Sequence, residues 1–136
     1  MRREFSAGGV AIRRFRGRPF VAVITTFKGA LALPKGHPDG RESAADAAIR
    51  EVREEAGIET TLVEKLADTR YWYVRDGERR FKVVSFFLLR YRSGSVEDHD
   101  HEVAAAAWIP LAEAPERLSY PGERDIARRA IEVLGR

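Results

Sequence analysis

The chain has 136 residues, 44% of them hydrophobic and 33% charged, with Lys+Arg 24 against Asp+Glu 21 and a formal net charge of +3. That length suits one domain over residues 1–136, because folding at this size buries roughly two-thirds of the surface that the unfolded chain exposes, and it argues against disorder. Cysteine is absent, which excludes disulfides, zinc ribbons and thiol catalysis and leads us to expect a reducing compartment, the cytoplasm.

At the amino end, the apolar run Ala7–Ile12 is cut short by "RRFRGR", so neither a signal peptide nor a membrane span is expected there, and no later segment is apolar for long enough. "FSAGGVAIRRF" and "FVAVITTF" read as strands joined by a hairpin connection at "RGRP". "ALALP" follows as a short strand ending at Pro34. A loop with Pro38, Asp39 and Gly40 leads into a helix that Ser43 is placed to cap, with Asp46 in its first turn and Gly57 as a left-handed terminator. "TTLVEKLADTRYWYV" and "RRFKVVSFFLLRYR" flank Asp76-Gly77 and predict a long antiparallel hairpin. A further strand is expected over about Val103–Ile109. From "PLAEAPERL" to the end the pattern is helical, with Ile126, Ala130, Val133 and Leu134 at helical spacing. Strands, a helix, more strands and a closing helix predict a mixed sheet covered by helices, an α/β (α+β) class.

Lysine occurs only at Lys28, Lys35, Lys65 and Lys82, so the mild basic excess rests on arginine. It does not predict a stable nucleic-acid partner. A monomer or a homodimer is expected.

The middle helix breaks a local rule. Ala45, Ala48, Ile49, Val52 and Ala56 form its expected core face, while Glu51, Glu54 and Glu55 crowd an adjoining arc in its last two turns. Like charges at such spacings destabilise a helix by a few tenths of a kcal/mol per pair, and the negative end of the dipole adds to that cost. Arg50 and Arg53 offer one compensation, as on any solvated charged face. Divalent cations offer another, since magnesium takes hard oxygen ligands.

The full spacing decides between them. Gly36, five residues, Glu42, seven residues, Arg50-Glu51-Val52, one residue, Glu54-Glu55, one residue and Gly57-Ile58 resembles the signature of the Nudix hydrolases at every specified position. Seven fixed residues coincide by chance at below about 10⁻⁸ per window. "AGGVAI", "LPKGHPDGRES" and "HEVAAAAWIPLAEA" extend the resemblance to almost the whole chain, the second of them towards the dinucleoside polyphosphate branch.

The resemblance implies the Nudix fold, an α/β/α sandwich around a mixed sheet, and hydrolysis of a nucleoside diphosphate linked to another group. It implies Mg²⁺, with Mn²⁺ as a substitute, held by Glu51, Glu54, Glu55 and the Gly36 carbonyl, with Glu102 approaching from a loop. Arg50 would orient the cluster and Glu42 would support it. The proton-abstracting role stays shared between Glu102 and Glu55. Lys35 is expected to neutralise phosphate, with Arg70, Arg80 and Lys82 along the phosphate path, while His99 and His101 are expected to be loop residues facing solvent. Tyr73, sixteen residues past Gly57, is the expected stacking residue for a nucleobase, and Tyr120 a second.

The leading expectation is hydrolysis of diadenosine polyphosphates, for example diadenosine tetraphosphate to ATP and AMP. Alternatives are oxidised nucleoside triphosphates, RNA 5′ ends and diphosphoinositol polyphosphates, or a non-catalytic Nudix ligand sensor.

Overall fold

The computed structural model describes residues 2–136. Strands β1 (Arg2–Phe15) and β2 (Arg18–Thr25) form the first hairpin. Its two-residue connection, Arg16 and Gly17, has φ of 52° and 80°, the left-handed pair that matches the natural twist of two paired strands. Strand β3 (Leu31–Ala32) pairs with the end of β2. The chain then returns to β1 through β4 (Lys35–Gly36), which lies opposite Ala7 and Gly8. Sequence periodicity gave no sign of β4, because two residues carry no alternation.

Helix α1 (Ala44–Ala56) begins where Ser43 Oγ accepts the Asp46 N–H at 3.1 Å and ends at Gly57, φ 77°. Strands β5 (Ile58–Arg75) and β6 (Glu78–Gly94) make the long hairpin, turning at Asp76 and Gly77 with φ of 54° and 73°. Strand β7 (Ala105–Pro110) pairs antiparallel with β2. The expected closing helix is two pieces, α2 (Ala114–Arg117) and α3 (Pro121–Leu134). Pro121 restarts the helix at its first position, where a missing N–H costs nothing.

The main sheet runs β3-β2-β1-β6-β5, with β1 and β6 parallel from Arg2 opposite Arg80 to Ile12 opposite Arg90, and the other pairs antiparallel. It is therefore mixed, as the sequence predicts. On one face Val52 and Ala56 of α1 pack with Ala11, Phe87 and Leu89. On the other, Ile126, Ala127 and Ala130 of α3 pack with Val10, Val21 and Phe86. Each fully buried valine or leucine in these layers stabilises the fold by about 1.5–3 kcal/mol. The result is an α/β/α sandwich, the Nudix fold.

The buried residues of α1 are Ala47, Ala48, Glu51, Val52 and Ala56, and Ala45 and Ile49, also expected on the core face, are half-buried and pack against the same cluster. Glu51 belongs to the buried face because the sheet opposite it offers Gly36, which has no side chain, and a Cβ there would overlap the Glu51 carboxylate.

Candidate active site

The last two turns of α1 are organised by Arg50. Its Nε donates to both Glu42 oxygens at 3.2 and 3.0 Å, and Nη2 donates to Glu42 Oε1 at 3.0 Å and to the His37 carbonyl at 2.9 Å. Nη1 donates to Glu51 Oε1 at 2.9 Å and to Glu54 Oε2 at 3.2 Å. A planar fork of five donors is what such an array requires, and a point-charge ammonium cannot reproduce it. Glu42 is fixed in turn by the Asp39 N–H at 3.0 Å, so the loop before the helix and the helix itself share one cation. The Arg50 bonds, then the Asp39 N–H, hold the Glu42 carboxyl below the usual carboxylate range.

The other acids sit in less favourable surroundings. Burial pushes the Glu51 carboxyl up despite the pull of Arg50, and the charges of Glu54 and Glu102 push the same way. Burial pushes Glu55 up to about 7, against the bond that its Oε1 accepts from the Lys35 N–H at 3.1 Å; the Glu51 and Asp100 charges add to the rise. Asp100 is tied to the end of α1, its N–H donating to the Glu54 carbonyl at 2.9 Å, and its side chain accepts the Glu102 N–H at 3.0 Å. These bonds bring the exposed Glu102 close enough to act on Glu51 electrostatically. His99 binds the Asp100 carbonyl at 2.7 Å and His101 is exposed. Among the described residues, no three His, Asp or Glu side chains are already gathered at metal-holding distance. Glu51 and Glu54 nevertheless contact one cationic nitrogen, Arg50 Nη1, so a single positive centre reaches both.

On the α3 side of the sheet, Lys35 Nζ lies 2.8 Å from Glu123 Oε2 and 5.3 Å from the centre of the Tyr120 ring. It stands at a cavity of about 500 Å³ whose walls include Thr69, Tyr71, Phe86, Tyr120 and Gly122. Lys82 is half-buried on the same face, opposite Tyr71 and Glu4 in the sheet register. Burial, then the Lys35 charge, pushes the Lys82 ammonium down.

Tyr73 is placed differently from its expected role. It shares the face of Tyr71, their ring centres 6.2 Å apart, but it lies further along the hairpin and is not among the residues lining the cavity. Its hydroxyl donates to Glu4, which also receives Arg80 Nη1 at 2.8 Å. Tyr73, then Arg80, pulls the Glu4 carboxyl down to about 2. Arg80 is thereby committed to Glu4, whereas the exposed Arg70, 3.4 Å from Asp68, stands among the residues that line the cavity. The aromatic residues in the walls of the cavity are Tyr71, Phe86 and Tyr120, and the wall residues that sequence reasoning did not single out are Tyr71, Phe86 and Glu123. Tyr71 carries the same strand parity as Tyr73. Glu123 gave no signal beyond an acid in the first turn of a helix.

The model of the NUDIX domain matches residues 2–130. The chain belongs to the Nudix family. MutT4 of Mycobacterium tuberculosis is 40% identical over 139 residues, covering 96% of this chain and 56% of MutT4, so the chain spans little more than half of that relative's length. An RNA pyrophosphohydrolase of Sphingopyxis alaskensis is 33% identical, covering 93% of this chain and 90% of the relative. Among solved Nudix structures, the binary complex of the C. elegans Ap4A hydrolase superposes with a TM-score of 0.75 over 97% of this chain and 98% of that one, at 24% identity; that likeness concerns the fold. No helix among the described residues is long and apolar enough to cross a membrane.

Proposed function

We propose that this Nudix domain is a metal-dependent pyrophosphohydrolase that cleaves the diphosphate linkage of a nucleotide whose base lies between Tyr71 and Tyr120. The observation that carries the reading is the carboxylate cluster on α1, whose Glu51 and Glu55 are partly buried beside like charges, linked through Lys35 to a cavity with aromatic residues in its walls. The donor set supports a divalent cation such as Mg²⁺ or Mn²⁺: it is all oxygen, and Gly36 leaves room for the Glu51 carboxylate against the backbone. Glu51, Glu54, Glu55, Glu102 and the Gly36 carbonyl are the candidate ligands. When bound, such ions polarise phosphoryl oxygens and make a coordinated water acidic.

The chain's own groups supply the rest. Lys35 and Lys82 offset phosphate charge, and Arg50 keeps Glu51 and Glu54 oriented. Glu102 or Glu55 accepts the proton of the water whose oxygen attacks phosphorus, as the bond to the departing phosphate oxygen breaks. If Glu102 is that base, Glu102→Gln should lower kcat by at least about tenfold with little change in KM and should remove the acidic limb of the pH profile. An unchanged limb assigns the proton to Glu55.

The substrate supported best is a nucleotide with one base and a 5′-polyphosphate. One cavity with aromatic residues in its walls is joined to the cluster through Lys35, whose backbone N–H is bound by Glu55, and an RNA pyrophosphohydrolase is matched along 90% of its length. Diadenosine tetraphosphate remains the second reading, favoured by the loop "LPKGHPDGRES"; Tyr73, its most specific support, is engaged with Glu4. The test is incubation with nucleoside triphosphates, oxidised dGTP, triphosphorylated RNA, diadenosine polyphosphates, ADP-ribose and diphosphoinositol polyphosphates, with the products resolved by chromatography. On the preferred substrate Tyr71→Ala should raise KM by the equivalent of about 1–3 kcal/mol, the worth of base stacking on an aromatic ring. Tyr73→Ala should leave KM nearly unchanged, and the reverse ranking would reject the cavity as the base site.

A further inference from the structure

Glu123 lies in the first turn of α3 and is only 4% exposed. A carboxylate is favoured at a helix start by the dipole, but burial makes it costly unless each oxygen is satisfied. Oε1 accepts the Leu33 N–H at 2.7 Å, and Oε2 accepts Lys35 Nζ at 2.8 Å. Leu33 and Lys35 flank Pro34, whose carbonyl accepts the Gly9 N–H at 3.1 Å, and the next residue is Gly36. Residue 35 thus faces both layers of the sandwich. Its backbone N–H donates to Glu55 of α1 at 3.1 Å, while its ammonium is held by Glu123 of α3.

We propose that Glu123 is a positioning residue that holds the Lys35 ammonium at the edge of the Tyr71/Tyr120 cavity, ready for the phosphates of an incoming nucleotide. This rests on the nucleotide reading above. An ammonium has three protons; one serves Glu123, and the others remain for phosphate oxygens. Lysine has a flexible four-carbon stem. Without the carboxylate, the stem must be ordered at the moment of binding, and that loss appears as affinity. The same carboxylate fixes the main chain at Leu33, so the segment entering Gly36 is set from the layer opposite α1.

The experiment is titration calorimetry with inorganic tripolyphosphate in the presence of Mg²⁺, on the full chain, Glu123→Gln, Lys35→Met and the double variant. Glutamine keeps an acceptor for the Leu33 N–H and takes the charge away from Lys35. Glu123→Gln should weaken tripolyphosphate binding by about five- to tenfold, yet add almost nothing once Lys35 is methionine. On the preferred nucleotide the same variant should raise KM by a similar factor while kcat stays within about threefold. A purely structural Glu123 would give equal losses in both backgrounds, with kcat falling alongside. Additive losses, unchanged binding by Glu123→Gln, or no tripolyphosphate binding by the unsubstituted chain would each overturn the proposal. Should the glutamine variant not fold, Glu123→Asp, which withdraws the charge from Lys35, is read by the same criteria. Failure of the nucleotide reading is separately visible: no nucleotide of the panel is hydrolysed, while the coupling between residues 35 and 123 persists in tripolyphosphate binding.

Discussion

Glu55→Gln is expected to lower kcat by about 10²–10⁴ in saturating Mg²⁺ while the fold survives, because the change removes a charged candidate metal ligand or, if Glu55 is the base, the proton acceptor. Glutamine keeps the shape, and its carbonyl oxygen can still accept the Lys35 N–H that Glu55 accepts at 3.1 Å. The metal-free protein should become more stable above neutral pH, for a reason whose sign is fixed. Burial raises the Glu55 carboxyl from 4.5 to about 7, so between those values the folded state binds more protons than the unfolded one. Stability therefore falls as pH rises through that window. The uncharged amide escapes the loss, a gain of about 1–3 kcal/mol at pH 8 after discounting for solvent screening. At pH 4 the two proteins should melt together. Near-normal turnover, or a melting difference that does not depend on pH, would remove Glu55 from the reactive cluster.

Local rules made α1 legible from its caps inward: Ser43 and Gly57 bound it where their chemistry says they should. The two tight turns were equally legible, since Arg16-Gly17 and Asp76-Gly77 adopt the backbone that such pairs favour. What could not be read locally was set by distant contacts. Glu51 joins the buried face because Gly36 lies across from it, fifteen positions earlier in the chain. Tyr71 and Tyr73 share strand parity, and the difference between them is how far α3 reaches along β5. Gly122 packs against Thr69, which leaves Tyr71 at the cavity and Tyr73 beyond it. Register shifts at Glu59/Thr60, Leu62/Glu64 and Lys65/Ala67 also defeat any count of alternation from the start of the strand. The pairing of Glu123 with Lys35 spans 88 positions, and no sequence pattern of either residue announces it.

Arg50→Met should strongly destabilise the metal-free domain. Arg50 is the cation shared by Glu42, Glu51 and Glu54, with 19% of its side chain exposed against 10% for Glu51. Methionine keeps much of the aliphatic stem and removes every donor, leaving Glu51 without its ion-pair partner. Stranding one member of a buried pair costs about 3–5 kcal/mol, and the partial exposure here reduces that to about 2–4. Glu51 can limit the cost by taking up a proton, since burial already raises its carboxyl. The destabilisation should therefore be larger at pH 8 than at pH 5. Arg50→Lys should recover only a small part, because one ammonium cannot reach Glu42, Glu51 and the His37 carbonyl together. Mg²⁺ distinguishes the two views of the acidic cluster. If Glu51 and Glu54 are metal ligands, saturating Mg²⁺ should raise the melting temperature of Arg50→Met more than that of the unsubstituted chain, because the ion replaces the lost positive charge. Equal metal-induced shifts in the two proteins would show that Arg50 and the metal answer different charges, and the ligand assignment of Glu51 and Glu54 would fail.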